Sequence, residues 1–341
     1  MTIDHVRTPP PSARRAAWKP RGLLFHYTTL DGFLGILESD VLRATHIRYM
    51  NDSREFVDAL DHTGSLANAL AHEFERYGLS DSLRTKLGEF LGSISSIISG
   101  RSGAYVASFT DDAAQESASG ELPGDRLSQW RAYGGGSKGI SLGFDFDALH
   151  GNMPGESWSL GGCTAYLLDC LYKSEEKQKA LLSVADVVIP DLRRAFETIE
   201  SPPVRESEIQ STLKAFRWQM ILGWIINAST FKDPAFSEEK EWRIVMFGPG
   251  SKVPEDEDGE SGFRLSFRNG PLGITPYREL PLRLSAPTSP LRRVVIGPTP
   301  HLQDSVKAVE MVLEERGVAL RSEKHPTGID VVPSRIPYRI W

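Results

Sequence analysis

Short runs with β-strand character are scattered along this chain, separated by longer stretches of helical periodicity. The strand-like runs include LLFHYTTL, AYVASFT, ISLGFDF, EKEWRIVMF and RRVVIGP. Helical spacing dominates about 53–100 and 175–231. Doubly wound α/β proteins alternate strands with helices regularly, whereas strands interrupted by irregular helical insertions are typical of α+β folds. We therefore expect an α+β fold around a mixed or antiparallel sheet.

The sequence predicts one folded domain after an N-terminal arm. Residues 1–21 are rich in Pro, Arg and Ala, which indicates a flexible arm. No low-complexity linker divides the remainder, so 22–341 is expected to be a single α+β domain that carries both helical insertions. Near its end, RRVVIGP, a helix over about 303–316 and GIDVVPS together predict a strand–helix–strand unit.

Composition excludes several classes of protein. The formal net charge of −6 argues against a general nucleic-acid coat. No apolar window approaches the roughly 20 residues of a membrane helix, and no signal peptide is recognisable, so we expect a cytoplasmic protein without a membrane partner. Cys163 and Cys170 form no CxxC pair and have no zinc-type partners, so neither a metal site nor a disulfide framework is expected.

A polar cluster ends the first apolar strand at His26, Tyr27 and Thr28. A neutral imidazole both donates and accepts, which suits His26 to holding a ribose hydroxyl. The simpler interpretation is that His26 binds a neighbouring carbonyl.

Two hydroxyls close the strand AYVASFT. Ser108 and Thr110 are two residues apart, so they share one face of a strand and could orient a carboxylate or a sugar. Ordinary capping of the strand end is the alternative.

The segment SQWRAYGGGSKG combines aromatic, basic and glycine residues. Trp130 and Tyr133 are three apart on a helical turn and could sandwich a flat ring, while Arg131 or Lys138 could bind phosphate. The glycine run leaves backbone N–H groups accessible to an anion, although neither standard nucleotide fingerprint is met. Alternatively, Trp130 and Tyr133 are core aromatics before a glycine stop.

Paired carboxylates begin the strand in FSEEKEWRIVMF. Glu239 and Glu241 alternate on the same strand face, so both carboxylates could point into one cleft. Arg243 returns to the same side and could equally pair with Glu241 as a structural bridge.

Taken together, these motifs resemble a bacterial family known as DUF2971. The resemblance rests on FHYTTLDGFLGILES, RYMNDSREF, SFT, SQWRAYGGGSKGISLGFD, FSEEKEWRIV and VVPSRIPYR, from about His26 to Arg339. The family name implies no activity.

The opening FHYTTLDGFLGILESDVLR also resembles the start of ADP-ribosyltransferase-fold proteins, including DarT-like toxins. That resemblance implies an ADP-ribosyltransferase-like sheet and NAD as substrate. It implies that His26 holds the ribose, that Ser108 and Thr110 support the site, and that Glu241 is the catalytic carboxylate with Glu239 as auxiliary. Tyr27 or Tyr133 would stack on nicotinamide, and Arg131 or Lys138 would bind the pyrophosphate. The chain departs from the superfamily pattern in its large insertions before SFT and EKEWR and in pairing a histidine with Ser-x-Thr.

The resemblance leaves the acceptor and the biological role open. The acceptor could be nucleic acid or protein, in a toxin or an anti-phage defence system. Two alternatives remain: an inactive binding or sensor module of the same fold, and a nuclease or other glycosyl-bond hydrolase that uses scattered carboxylates such as Asp111, Asp112, Asp145 and Asp147.

Overall fold

The computed structural model describes most of the predicted strands and several helices. The described residues are 20, 22–50, 103–112, 122–135, 139–151, 164–199, 219–247, 264–270 and 273–337, with isolated positions at 81, 84, 85, 88, 89 and 214. The predicted arm and nearly all of the first helical insertion lie outside this part of the chain. The second insertion is described over 175–199 and 219–231.

Within the described ranges, ten strands form one sheet. They are β1 (Leu23–Thr28), β2 (Val41–His46), β3 (Ala104–Asp111), β4 (Ile140–Asp145), β5 (Thr164–Asp169), β6 (Glu241–Phe247), β7 (Leu265–Gly270), β8 (Gly273–Pro281), β9 (Leu291–Ile296) and β10 (Asp330–Pro333). The strand order is β10-β9-β4-β1-β3-β2-β8-β7, and β6 lies between β3 and β5. Every strand pair is antiparallel except β9 with β10.

The helices of the described chain are α1 (Leu30–Ser39), α2 (Leu127–Tyr133), α3 (Phe146–Gly151), α4 (Ser174–Ile199), α5 (219–228) and α6 (Leu302–Glu315). The α+β prediction is confirmed, with a largely antiparallel sheet. Among these helices none is long and apolar enough to cross a bilayer.

Helix α1 follows the predicted periodicity, with Phe33, Ile36 and Leu37 buried. Its N-cap is Thr29, whose hydroxyl accepts from the amide of Gly32. The sequence favours Asp31 as the N-cap of this helix, which would start it at residue 32, whereas the helix begins two residues earlier, at Leu30. A threonine with extended backbone angles caps as an aspartate does, which makes the two starts hard to distinguish in sequence.

Apolar side chains from β1, β3, β4, β6, β9 and the helices α1 and α6 form one large core on one side of the sheet. A second, smaller cluster contains Phe25, Tyr27, Trp130 and Val295. The two clusters occupy opposite alternations of the strands: Leu24 belongs to the first and its neighbour Phe25 to the second. The sheet is therefore covered on both faces around β1.

Strand β3 pairs with three strands, β1, β2 and β6, and this leaves a gap in the sheet beside β3. Strand β6 pairs along one edge over 104–110. A strand has only two edges, so β1 and β2 must share the other: β1 pairs at Thr110 and Asp111, and β2 pairs at Tyr105 and Val106. Strands β1 and β2 therefore separate beside the centre of β3, and helix α1 connects them.

The carboxylate of Asp125 fastens the last described segment to the helix α2 region. It accepts from the indole Nε1 of Trp130 at 2.8 Å, from the Ser334 hydroxyl at 2.6 Å and from the Arg335 amide at 2.6 Å. Trp130 is fully buried and Asp125 is nearly so. Buried donors that have lost their acceptor cannot recover it from water.

We expect Asp125→Ala to lower the free energy of unfolding by about 2–4 kcal/mol, because it leaves the Trp130 N–H and two further donors without an acceptor. Ser334→Ala removes one donor and leaves the carboxylate satisfied twice, so its effect should be smaller, at about 1 kcal/mol. Denaturant unfolding of both variants measures this order. Equal effects would contradict the shared role of the carboxylate.

Candidate functional site

A cavity of about 480 Å³ opens where β1 and β2 separate. Its wall includes five consecutive residues of β3, 106–110. Alternate residues of a strand would line a cavity above one face, so a consecutive run indicates a cavity along the strand edge. The volume lies within the range of about 300–1,000 Å³ typical of small-molecule sites.

Eight of the residues predicted from sequence as site residues line this cavity. They are His26, Tyr27, Thr28, Ser108, Thr110, Tyr133, Glu239 and Glu241. They come from β1, β3, α2, the 3-10 helix Pro234–Glu239 and the start of β6.

His26 bridges the gap between β1 and β3. The β1–β3 register ends at the Phe25–Thr110 pair, and the next contact is made by a side chain: the Nδ1 of His26 is 2.9 Å from the Ser108 carbonyl. A carbonyl only accepts, so Nδ1 carries the proton. Burial lowers the pKa of His26 and outweighs the opposing effect of this hydrogen bond. The ring is therefore neutral, with Nε2 as an acceptor.

The Ser108 side chain has an unused hydrogen-bonding group. Its Oγ is buried and makes no hydrogen bond to the described protein, although the carbonyl of the same residue holds His26. Thr110, two residues on, is buried and lies opposite Glu241 in the β3–β6 register. A buried hydroxyl without a partner in a cavity wall is suited to binding a ligand.

The carboxylates of Glu239 and Glu241 meet at one ammonium group. The Nζ of Lys232 lies 2.5 Å from Glu239 Oε2 and 2.5 Å from Glu241 Oε2. Arg243 also binds Glu241, with Nε 2.7 Å from Oε1 and Nη2 3.2 Å from Oε2. The side chains of Lys232, Arg243 and Glu241 are 1%, 3% and 5% exposed, and that of Glu239 is 13% exposed. Glu239 is thus the more accessible carboxylate.

These cations keep Glu241 ionised. Burial by itself would raise its pKa, but Arg243 and then Lys232 outweigh burial and lower the pKa to about 2. Burial likewise opposes the charge of Lys232, yet the two carboxylates raise its pKa above the usual value. The group therefore holds two negative and two positive charges at neutral pH.

Glu239 reaches this position from outside the strand, which corrects the prediction that the two glutamates alternate along it. Residues Pro234–Glu239 form a 3-10 helix, and Lys240 has a left-handed backbone, with φ of 43°. Strand β6 begins only at Glu241. A left-handed residue breaks strand alternation, so the convergence of the two carboxylates is due to the turn and to Lys232.

Lys232 was not identified from sequence. It follows Phe231, which forms a parallel bridge with Leu171 just after β5, and its amide donates to the Leu171 carbonyl. From the sequence, a lysine just before DPAFSEE is expected to be exposed to solvent. Only the pairing with Leu171 reveals that it is buried beside β6.

Arg126 ties the 3-10 turn to the rest of the cavity wall. Its Nε is 2.5 Å from Asp112 Oδ1, and Nη1 donates to the Glu238 carbonyl at 2.6 Å. The amide of Arg126 donates to the Tyr27 hydroxyl at 3.1 Å. One residue thus connects β1, the end of β3 and the turn that carries Glu239.

The remaining predicted residues lie away from the cavity or outside the described chain. Trp130 is fully buried, packs edge-on against Tyr27 at 4.8 Å and belongs to the small core cluster, so it presents no open ring face for a ligand. Arg131 is exposed and is not part of the cavity wall. Lys138 lies outside the described residues. Tyr133, at 38% exposed, is the aromatic group of α2 that lines the cavity.

Two arginines that the sequence analysis did not identify line the same cavity. Arg43 lies on β2 and Arg268 on β7. Nη2 of Arg268 donates to Thr45 Oγ1 at 3.0 Å, and the guanidinium of Arg43 lies over the Tyr277 ring at 5.2 Å. Their positions on two separate strands, far apart in sequence, give no local motif.

The carboxylates considered for a metal-dependent alternative have local roles. Asp112 binds Arg126, and Asp145 accepts from the amide of Ala148 at the start of α3. Among the described residues, no group of three His, Cys, Asp or Glu side chains could hold a metal ion.

The fold and site define an α+β protein whose cavity, beside a split sheet, contains a neutral histidine, an unpartnered serine hydroxyl and two carboxylates fixed by cations. Residues 129–244, about a third of the chain, match the family model described as Protein of unknown function (DUF2971), which confirms the DUF2971 resemblance. No curated protein and no solved structure matches the chain.

The depressed pKa of Glu241 makes a pH-dependent prediction. Its pKa is about 2 in the fold and 4.5 without the fold, so its stabilising effect is complete above pH 4.5 and is lost as the pH falls towards 2. We expect the difference in free energy of unfolding between the wild type and Glu241→Gln to be about 2 kcal/mol smaller at pH 3 than at pH 7. Urea unfolding at both pH values measures it.

The exposed neighbour Glu238 supplies the control. Glu238→Gln should change the free energy of unfolding little at either pH, because that side chain is exposed and forms no ion pair among the described residues. A Glu241→Gln difference that does not change between pH 7 and pH 3 would contradict the lowered pKa.

Proposed function

We propose that this protein is an NAD-dependent ADP-ribosyltransferase-like enzyme. It would break the nicotinamide–ribose bond of NAD in the cavity between β1, β2 and β3 and transfer ADP-ribose to an acceptor. The observation that carries the proposal is the convergence of Glu239 and Glu241 in one cavity with His26 and the hydroxyls of Ser108 and Thr110.

The chemistry requires a negative charge beside the sugar. Loss of nicotinamide develops positive charge on the ribose, as in other oxocarbenium-like glycosyl transfers. A fixed carboxylate stabilises that charge without reorganising as the reaction proceeds. Lys232 fixes Glu239 in this way, and Glu241 in turn fixes Lys232.

The two carboxylates suit different roles. Both oxygens of Glu241 accept from Lys232 or Arg243, and its side chain is almost fully buried. Glu239 contacts Lys232, and its side chain is more accessible than that of Glu241. We assign Glu239 as the carboxylate that reaches the ribose and Glu241 as the charge that holds Lys232 and thereby positions Glu239. This reverses the ranking that the distant resemblance implies.

The opposite wall offers groups for the sugar. The neutral ring of His26 has Nε2 as an acceptor for a ribose hydroxyl, because Nδ1–H is committed to Ser108. The unpartnered hydroxyl of Ser108 can donate or accept beside it. Tyr133, half-exposed in the cavity wall, would stack against the nicotinamide ring.

The acceptor would approach from solvent and would be a base of nucleic acid or a side chain of a protein. Activity in a toxin or an anti-phage defence system is part of the same proposal and rests on the resemblance to DarT-like toxins. With water as the acceptor, the same site would act as an NAD glycohydrolase.

One observation favours a second candidate, a module that binds the nucleotide without cleaving it. Both carboxylates contact cations, Glu239 through Lys232 and Glu241 through Lys232 and Arg243, and a carboxylate neutralised in this way stabilises a developing cation less than an unpaired one. In that case the cavity would bind NAD and release no nicotinamide.

We expect the wild type to release nicotinamide from NAD when supplied with single-stranded DNA, RNA or cell extract. Glu239→Gln should lower the rate by about a hundredfold or more, because the amide keeps the shape and removes the charge. NAD affinity, measured by calorimetry, should change little. Glu241→Gln should also abolish release, with folding checked in parallel because it leaves buried cations unpaired.

The matched control is Glu238→Gln, which neutralises an exposed carboxylate next to Glu239 in the same 3-10 helix. It should keep the wild-type rate. Undiminished release in Glu239→Gln would overturn the assignment of Glu239, and NAD binding without release in the wild type would favour the binding module.

A further inference from the structure

Arg43 and Arg268 place two positive charges together without an acidic partner. Both line the cavity, and neither forms an ion pair with a carboxylate in the part of the chain that the structure describes. Glu279, directly opposite Arg43 in the β2–β8 register, accepts from the Ser266 hydroxyl instead. Two like charges in proximity repel each other, and a bound anion relieves that repulsion.

Strand pairing holds the two arginines on one wall. Arg43 and Thr45 alternate on one face of β2, and Thr45 lies opposite Tyr277 of β8. Thr275, two residues before Tyr277, lies opposite Arg268 of β7, so all of these side chains share a face. Arg268 then reaches across β8 to the Thr45 hydroxyl.

The proximity of the arginines also affects their ionisation. Burial, and then the charge of Arg43, lower the pKa of Arg268. A guanidinium nevertheless stays charged at neutral pH, and its planar array of donors suits phosphate oxygens.

We propose that Arg43 and Arg268 form an anion subsite that binds a phosphate group of the cavity's ligand. If the proposed function holds, that group is the pyrophosphate of NAD. The subsite would replace the sequence expectation that Arg131 or Lys138 binds the pyrophosphate.

The arrangement along β3 favours an elongated ligand. Thr45 pairs with Val106 near one end of the cavity wall, and Glu241 pairs with Thr110 near the other. These β3 positions are four residues apart, about 13 Å at about 3.3 Å per residue. A ligand that reaches both the arginines and the carboxylates therefore extends further than a single phosphate group.

The test compares ADP with adenosine, which lacks the phosphates, by calorimetry on the full chain. Arg43→Gln and Arg268→Gln should each weaken ADP binding about tenfold or more, since charge-assisted hydrogen bonds are lost. Adenosine binding should stay within about twofold in both variants, because adenosine has no group that requires the arginines. Inorganic pyrophosphate should compete with ADP in the wild type.

Two arginine controls complete the design. Arg321→Gln, exposed and outside the cavity wall, should bind ADP as the wild type does. Arg131→Gln tests the earlier expectation, and a loss confined to that variant would overturn the subsite. So would a wild type that binds neither ADP nor pyrophosphate at millimolar concentration, or arginine variants that bind ADP unchanged.

These measurements do not depend on turnover. ADP carries no nicotinamide, so its binding to the arginines is detectable even if the wild type never cleaves NAD. A wild type that releases no nicotinamide but binds ADP through the two arginines would therefore reject the transferase and keep the anion subsite. Nicotinamide release that is unchanged in Arg43→Gln and Arg268→Gln would keep the transferase and reject the anion subsite.

Discussion

The three-way pairing of β3 is the constraint on which the rest of this structure depends. Strand β6 occupies one edge of β3, so β1 and β2 must divide the other edge between them. The stretch between the two pairings would leave backbone carbonyls unsatisfied, and His26 supplies the Ser108 carbonyl with a side-chain donor. The same separation of strands creates the cavity. The histidine is therefore both a support for the split sheet and a member of the cavity wall.

Charge in the cavity is fixed by the protein before any ligand arrives. Lys232 joins a carboxylate from the 3-10 helix to one from β6, and Arg243 makes the second of these carboxylates a buried ion pair. Such groups are strongly coupled, because removal of one member leaves another buried charge without its counter-ion. The arginines of β2 and β7 lie on the two strands that flank β8. The two charge clusters of the cavity are thus built from separate parts of the sheet.

The sequence predicts most of the elements and much of the cavity wall, because alternation and helical spacing are local signals. Strands β1, β3, β4 and β6 and the terminal strand–helix–strand unit appear where apolar patterns predict them. Several simpler interpretations also describe the structure: His26 does bind a carbonyl, Trp130 is a core aromatic and Arg243 does bridge Glu241. Lys232, Arg43 and Arg268 were missed because their roles depend on pairings between distant segments. The left-handed backbone at Lys240, which excludes Glu239 from β6, likewise cannot be predicted from a pattern of alternating residues.

The hydrogen bonds of the Asp125 carboxylate have a consequence for the order in which the chain folds. Its bonds to Ser334 and Arg335 join positions 209 and 210 residues apart, whereas β9, α6 and β10 form within one short stretch. Contacts between distant segments close a large loop and gain their stabilisation late, so local units lead. Asp125 also accepts from Trp130, which packs on Tyr27 of the cavity wall. During refolding, the terminal unit should therefore acquire native structure before the cavity wall does, and ligand binding should recover more slowly than the bulk of the helical signal.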